Sequence, residues 1–181
     1  MLLRAFLILA LPAVALLGGF AVFKSLHQQQ TIDGLLASLP PQHAKPLNQR
    51  YGGYNAAKAG IHWDELRKDP KGIPAARFLL AIDLVFPLVY GAAIAAALVI
   101  AWWGFGWKFH PGWLIAPVAV VIVADWTENV LHLSQIDSAS LSASWIGVAS
   151  IATQVKLIGA SILCPVVGVL ALWMSLRPGR G

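Results

Sequence analysis

Four long apolar runs constrain the fold of this chain more than any other feature. They occupy residues 5–23, 78–100, 113–133 and 145–174. A helix needs about 20 mostly apolar residues to cross the hydrocarbon core of a bilayer, and each run meets or approaches that length. The chain is 58% hydrophobic and 12% charged, whereas soluble domains are about 45–50% apolar and about 25% charged. The sequence therefore predicts an all-α integral membrane protein, a four-helix bundle forming a single membrane domain over 1–181.

The first and last runs are unusual in length. Residues 5–23 follow Arg4 as in a signal peptide, but the apolar stretch exceeds the usual ~7–15 residues and no cleavage pattern follows it. We therefore expect an uncleaved first helix. Residues 145–174 would measure about 45 Å as a straight helix, against a core of about 30 Å. This last run must tilt, begin outside the bilayer or kink, and Pro165 offers a place for a kink.

A long polar stretch, residues 24–77, separates the first two runs. It contains a Pro-Pro pair and a Gly-Gly pair, which are loop signals. Segments 31–39 and 60–69 could each form a short interfacial helix. The stretch is too small for an independent core, so we expect an extramembrane loop of about 50 residues that caps the bundle or lies on the lipid headgroups.

Basic residues lie mainly outside the apolar runs and give a net charge of +5. Contact with anionic lipid explains this charge more simply than contact with nucleic acid. The expected partners are therefore the lipid bilayer and, in one interpretation, other membrane subunits, but no nucleic acid. The one cysteine, Cys164, lies within an apolar run, so it can form neither an intramolecular disulfide nor a thiolate cluster. We expect no cofactor.

The third run carries charged residues that membrane segments normally exclude. Asp125, Glu128, Asn129 and His132 fall within about 60° on either side of one line along a helix. Charged groups inside a membrane are costly. A stripe of this kind therefore predicts either a functional site or polar contacts that join helices.

Two other runs place polar residues at a similar depth. Asp83 and Tyr90 lie seven positions apart in the second run and share a helix face. At about 1.5 Å per residue, Asp83 and Glu128 lie about 8 Å deep. Lys156, in the fourth run, lies about 16 Å deep, near the level of Asp125. The predicted intramembrane pocket consists of Asp83, Tyr90, Asp125, Glu128, Asn129 and Lys156.

Three interpretations of the pocket are open. In the first, its carboxylates bind or conduct a proton, a cation or a small polar ligand. In the second, the protein is a membrane enzyme that acts on a lipid or isoprenoid substrate and uses the carboxylates as acid/base groups or metal ligands. In the third, the protein is an accessory subunit or assembly factor, and the polar groups join helices or meet those of a partner.

Individual residues allow further alternatives. Lys156 is either a counter-ion for the carboxylates or a snorkelling residue at the interface, and His132 is expected to be an interfacial residue with no further role. A weak alternative is a metal site made of Asp83, Asp125, Glu128 and His132. It lacks the Glu-x-x-His pairs of di-iron bundles and the His-Glu-x-x-His of zinc proteases.

Two segments carry a family resemblance, DLVFPLVYG at 83–91 and ADWTEN at 124–129. The pattern Asp-x-x-Phe-Pro-x-x-Tyr-Gly followed by Asp-x-x-Glu-Asn resembles that of a group of small bacterial four-helix integral membrane proteins. The resemblance implies a multi-pass protein of the bacterial inner (cytoplasmic) membrane and no particular activity. With four spans both termini share one side, which we expect to be the cytoplasm because the first helix usually sets the orientation. The matching residues are Asp83, Phe86, Pro87, Tyr90, Gly91, Asp125, Glu128 and Asn129.

Overall fold

The structure is a computed structural model that describes residues 23–105, 108, 110–138 and 140–176. All regular secondary structure in these residues is helical. Helix α1 includes residues 23–36, and a 3-10 helix covers Leu47–Gln49. The later helices are α2 (Ala56–Arg67), α3 (Gly72–Ile82), α4 (Phe86–Phe105), α5 (Gly112–Gln135) and α6 (Ala143–Leu176).

Three helical stretches are long and apolar enough to cross a membrane. They are Gly72–Phe105, Gly112–Gln135 and Ala143–Leu163. They coincide with the second, third and fourth apolar runs, so the predicted helical, multi-pass class is confirmed for this part of the chain. The predicted first span, 5–23, lies outside the described residues except for its last residue.

The second span starts earlier than the predicted residue 78, and it is interrupted. It begins at Gly72, and residues 83–85 form a turn between α3 and α4. Pro87 explains the interruption, because its ring nitrogen cannot donate a hydrogen bond to the carbonyl oxygen of Asp83. The Leu88 N–H donates to the Val85 carbonyl oxygen instead of that of Leu84. The carbonyl oxygens of Asp83 and Leu84 are therefore left for side chains of a neighbouring helix.

The buried apolar core joins the polar stretch to the helix ends beside it. We call residues 31–71 the cap. The core consists of Ile32, Leu36, Leu47, Tyr54, Ala59, Trp63, Leu66, Ala75, Ala76, Leu80, Ile136 and Ile146. Since Ile136 follows α5 and Ile146 lies in the first turn of α6, the cap and these helix ends share one core. Both predicted short helices are present in part, within α1 and α2.

Small residues allow the long helices to approach closely. A Cβ atom at Gly91 of α4 would overlap the side chain of Ile122 in α5. A Cβ atom at Gly159 of α6 would overlap Val121, also in α5. Packing through small residues is typical of membrane helices, where lipid provides no hydrophobic driving force between them. Helix α6 is 34 residues long and contains Pro165, and its first turns pack beneath the cap, so part of its excess length lies there.

Candidate functional site

Lys156 of α6 joins two carboxylates of α5. Its Nζ atom lies 3.0 Å from Asp125 Oδ1 and also contacts Glu128 Oε2. The exposed fractions of the Lys156, Asp125 and Glu128 side chains are 13%, 9% and 0%. Charges buried to this degree must be paired and hydrogen-bonded. Lys156 therefore acts as the counter-ion of these carboxylates. We call the three residues the ion cluster.

Two further residues of the predicted site extend the ion cluster. The Tyr90 hydroxyl donates to Asp125 Oδ2 at 2.9 Å. Asn129 Nδ2 lies 3.2 Å from Asp125 Oδ1 and 3.1 Å from the backbone carbonyl oxygen of Asp83. Asp125 thus accepts hydrogen bonds from three different helices of the described chain, α4, α5 and α6. One continuous polar network contains Tyr90, Asp125, Glu128, Asn129 and Lys156.

Side chains of segment 124–129 in α5 supply hydrogen-bond donors to the interrupted second span. Asn129 donates to the Asp83 carbonyl oxygen, and Trp126 Nε1 donates to the Leu84 carbonyl oxygen at 2.7 Å. A buried carbonyl without a partner costs about 1–3 kcal/mol. The spacing of the two motifs thus has a structural reason, since Pro87 opens the helix and α5 supplies the missing donors.

The Asp83 side chain takes a different position from the other predicted site residues. Its carboxylate makes no hydrogen bond or ion pair with any residue in the described part of the chain. The side chain instead lines a cleft of about 340 Å³ together with Gln29, Asn48 and Phe86. The six predicted residues therefore do not all share one set of contacts. Five are joined directly, and Asp83 contributes only its backbone carbonyl to that network.

His132 is buried, in contrast to the interfacial position expected for it. Its exposed fraction is 1%, and its Nε2 atom lies 2.7 Å from the Tyr54 hydroxyl. The Tyr54 hydroxyl also lies 3.2 Å from Thr153 Oγ1. Thr153 in turn donates to Glu128 Oε1 at 2.7 Å. His132 is therefore connected to the ion cluster through Tyr54 and Thr153.

Tyr54, which the sequence did not indicate as a site residue, is placed by the loop before α2. Its backbone N–H donates to Ser150 Oγ of α6 at 2.8 Å. Gly53 has a φ of +69°, and a Cβ atom there would lie 2.6 Å from Gln154 Nε2 and 2.7 Å from Ser150 Oγ. Other residues are strained at this φ, which favours glycine here. Gly53, the second glycine of the Gly-Gly pair that is a loop signal, therefore lets Tyr54 reach the network.

Aromatic residues of α2 cover His132. Its ring meets Trp63 edge-on with the centroids 5.5 Å apart, and His62 meets Trp63 edge-on with the centroids 4.7 Å apart. Burial lowers the pKa of His62 to about 3, and the charges of Arg50 and His132 act in the same direction. Burial raises the pKa of Tyr54. Both side chains are therefore neutral near pH 7.

The alternative metal site does not form in the structure. The Lys156 ammonium stands between Asp125 and Glu128, where a cation would bind. His132 directs Nε2 towards Tyr54. Within the described ranges, no group of three or more His, Cys, Asp or Glu side chains is arranged to hold a metal ion.

The ion cluster carries an unbalanced charge. With both carboxylates ionised and Lys156 protonated, its net charge is −1. One additional proton makes the cluster neutral. A net charge is costly in a membrane-spanning segment, and this is the feature of the cluster from which a function can be argued.

No protein-family model, curated protein or solved structure matches this chain. The resemblance to bacterial four-helix membrane proteins stays a prediction carried by two short motifs.

Proposed function

We propose that the protein is a multi-pass protein of the bacterial inner membrane whose ion cluster binds and passes a proton. Residues 5–23 would form the first of four spans, the termini would be cytoplasmic, and the cap would lie outside the bilayer. The observation that carries the proposal is the sharing of one ammonium, Lys156, between the Asp125 and Glu128 carboxylates. The cluster is then one proton short of neutrality in a low-dielectric environment.

A proton fits this site better than a metal cation or a small polar molecule. The cation position is filled by the Lys156 ammonium. The carboxylates also accept hydrogen bonds from Tyr90, Asn129 and Thr153, which a larger ligand would have to displace. A proton needs no added space and leaves these contacts in place.

The hydrogen bonds beyond Glu128 form a directed chain. A hydroxyl has one proton to donate, and Thr153 gives its proton to the Glu128 carboxylate, the stronger acceptor. Thr153 then accepts from Tyr54, and Tyr54 accepts from His132 Nε2–H. His132 lines a cavity of about 40 Å³, which is large enough for water. A proton could therefore travel from this cavity to the ion cluster by successive transfers.

Proton passage can be measured in proteoliposomes that contain a pH-sensitive dye, under a potassium diffusion potential. We expect the wild type to acidify the interior faster than protein-free vesicles, and Glu128→Gln to abolish the effect because an amide cannot ionise. Tyr54→Phe should lower the rate, since it removes one hydroxyl of the chain. Asp137→Asn, at an exposed carboxylate paired with Arg77, is the matched control. Equal rates for wild type and Glu128→Gln would contradict the proposal.

A second candidate function is that of an accessory subunit or assembly factor. It is favoured by the hydrogen bonds that the motif residues make between helices. Hydrogen bonds of Tyr90, Trp126 and Asn129 join α5 to the second span. Polar residues with a purely structural role in membrane helices make such interhelical hydrogen bonds. In that case Asp125→Asn and Glu128→Gln should leave function intact, and a stoichiometric partner should co-purify. The membrane-enzyme interpretation stays a prediction from the sequence.

A further inference from the structure

A cleft of about 340 Å³ lies beside the interrupted second span, between α1, the 3-10 helix and the start of α4. Its volume is within the range of small-molecule pockets. Its lining combines polar and apolar side chains: Ser25, Gln29, Asn48 and Asp83 are polar, and Leu26, Leu79, Ile82 and Phe86 are apolar. A ligand of this cleft would therefore have a polar end and an apolar end.

The Asp83 carboxylate favours a cationic ligand in this cleft. The Asp83 carboxylate is half-buried and has no hydrogen-bond or ion-pair partner among the described residues. The buried ammonium of Lys156 is already shared by Asp125 and Glu128. A partly buried carboxylate gains most from a cationic hydrogen-bond donor. Gln29 and Asn48 line the same cleft, and an amide side chain offers an oxygen as a further acceptor for such a donor.

Two apolar residues that line the cleft are also exposed at the surface of the protein. Leu26 is 60% exposed and Phe86 is 50% exposed. The next outward-facing residues of α4, Leu88 and Val89, are also apolar and exposed. An aliphatic chain could therefore extend from the cleft along α4 without meeting a polar side chain among these residues.

We propose that this cleft binds an amphiphile that carries a protonated primary amine. The ammonium has three donors and no acceptor, which suits Asp83 with the Gln29 and Asn48 oxygens. The chain lies along Leu26 and Phe86. A free alkylamine and an ethanolamine headgroup both carry such an ammonium, and the site would recognise both by the same chemistry. This binding does not depend on proton passage through the ion cluster.

Isothermal titration of purified protein in phosphatidylcholine nanodiscs tests the proposal, with empty nanodiscs as the baseline for partitioning. Decylamine, decanol and decanoate have equal chain lengths and differ only in the polar end. We expect saturable binding of decylamine, at least about tenfold tighter than that of the other two, because only the amine makes a charge-assisted hydrogen bond. Asp83→Asn should weaken decylamine binding by about tenfold or more, and Asp137→Asn should not change it.

A second variant keeps the carboxylate and removes the space. Leu26→Trp should also weaken decylamine binding, since the larger side chain occupies part of the cleft. This test remains valid even if Asp83→Asn fails to fold. Repeating the titration in phosphatidylethanolamine nanodiscs distinguishes the sources: a lower apparent affinity indicates that the headgroup competes, and an unchanged affinity indicates a free amine. Equal binding of decanol and decylamine, or no effect of either variant, would overturn the proposal.

Discussion

Removal of the Lys156 ammonium should strongly destabilise the helix bundle. In the wild type its Nζ atom lies 3.0 Å from Asp125 Oδ1 and contacts Glu128. Lys156→Met retains much of the side-chain length but leaves two nearly inaccessible carboxylates side by side without a counter-ion. Breaking a buried pair from one side costs about 3–5 kcal/mol. We expect the free energy of unfolding to fall by about that amount.

The decisive comparison is a variant in which all three charges are removed. In Lys156→Met/Asp125→Asn/Glu128→Gln, the amide oxygens still accept hydrogen bonds from Tyr90 and Thr153. Neutral replacement of a complete buried ion cluster is often tolerated. We therefore expect the triple variant to recover at least about 2 kcal/mol relative to Lys156→Met alone.

Equilibrium unfolding in mixed micelles, followed by far-ultraviolet circular dichroism, measures these free energies. Lys68→Met is the matched control, because the Lys68 side chain in the ion pair with Glu65 is 71% exposed and an exposed ion pair contributes about 1 kcal/mol or less. If the triple variant is destabilised by the sum of its three single substitutions, the charges are not coupled. That result would remove Lys156 from the site.

The remaining predictions concern the cap and the interrupted span, and each is measured by the same unfolding experiment. Gly53→Ala should cost about 1–3 kcal/mol because of its positive φ and its contact with α6; Gly52→Ala, at an open position, should have little effect, and equal effects would contradict the placement of the loop. Because the pKa of His62 falls from 6.5 to about 3 on folding, stability should be lost as the pH falls below about 6.5, by up to about 1.4 kcal/mol per pH unit. His62→Leu should flatten that dependence, and an unchanged slope would refute it. Asn129→Ala should cost about 1–3 kcal/mol and Trp126→Phe about 1 kcal/mol, because each leaves a carbonyl at the break without its donor; no loss in either variant would mean that these bonds do not support the span.

Helical periodicity and length explain what could be predicted of the fold. A long apolar run has few structures available in a membrane, because backbone groups must be paired within the segment. The break before Pro87 was not predicted, although Pro165 was considered as a kink. Pro87 is the second residue of α4, near a helix start, where proline is well tolerated. The side chains on both sides of the break are apolar, so hydropathy gives no sign of it.

Within the site, residues placed by helical periodicity could be predicted from the sequence, and residues placed by a break or a loop could not. Angular position placed Asp125, Glu128 and Asn129 on one face of α5, and the structure joins all three in one network. The depth of Asp83 was counted along an uninterrupted helix, so the break changes the surroundings of its side chain. Tyr54 comes from a loop whose place depends on a contact with Ser150, almost a hundred positions later in the chain. Such a contact leaves no local pattern.

The interrupted span also has a consequence for biogenesis. Without α5, the carbonyl oxygens of Asp83 and Leu84 would lack the hydrogen-bond donors that α5 supplies. Each unpaired backbone group at membrane depth costs several kcal/mol. The donors that remove this penalty, Trp126 and Asn129, are synthesised later in the chain. The second and third spans should therefore leave the translocon together, as one helical hairpin. We expect a chain truncated after Phe105 to integrate less completely than one truncated after Gln135.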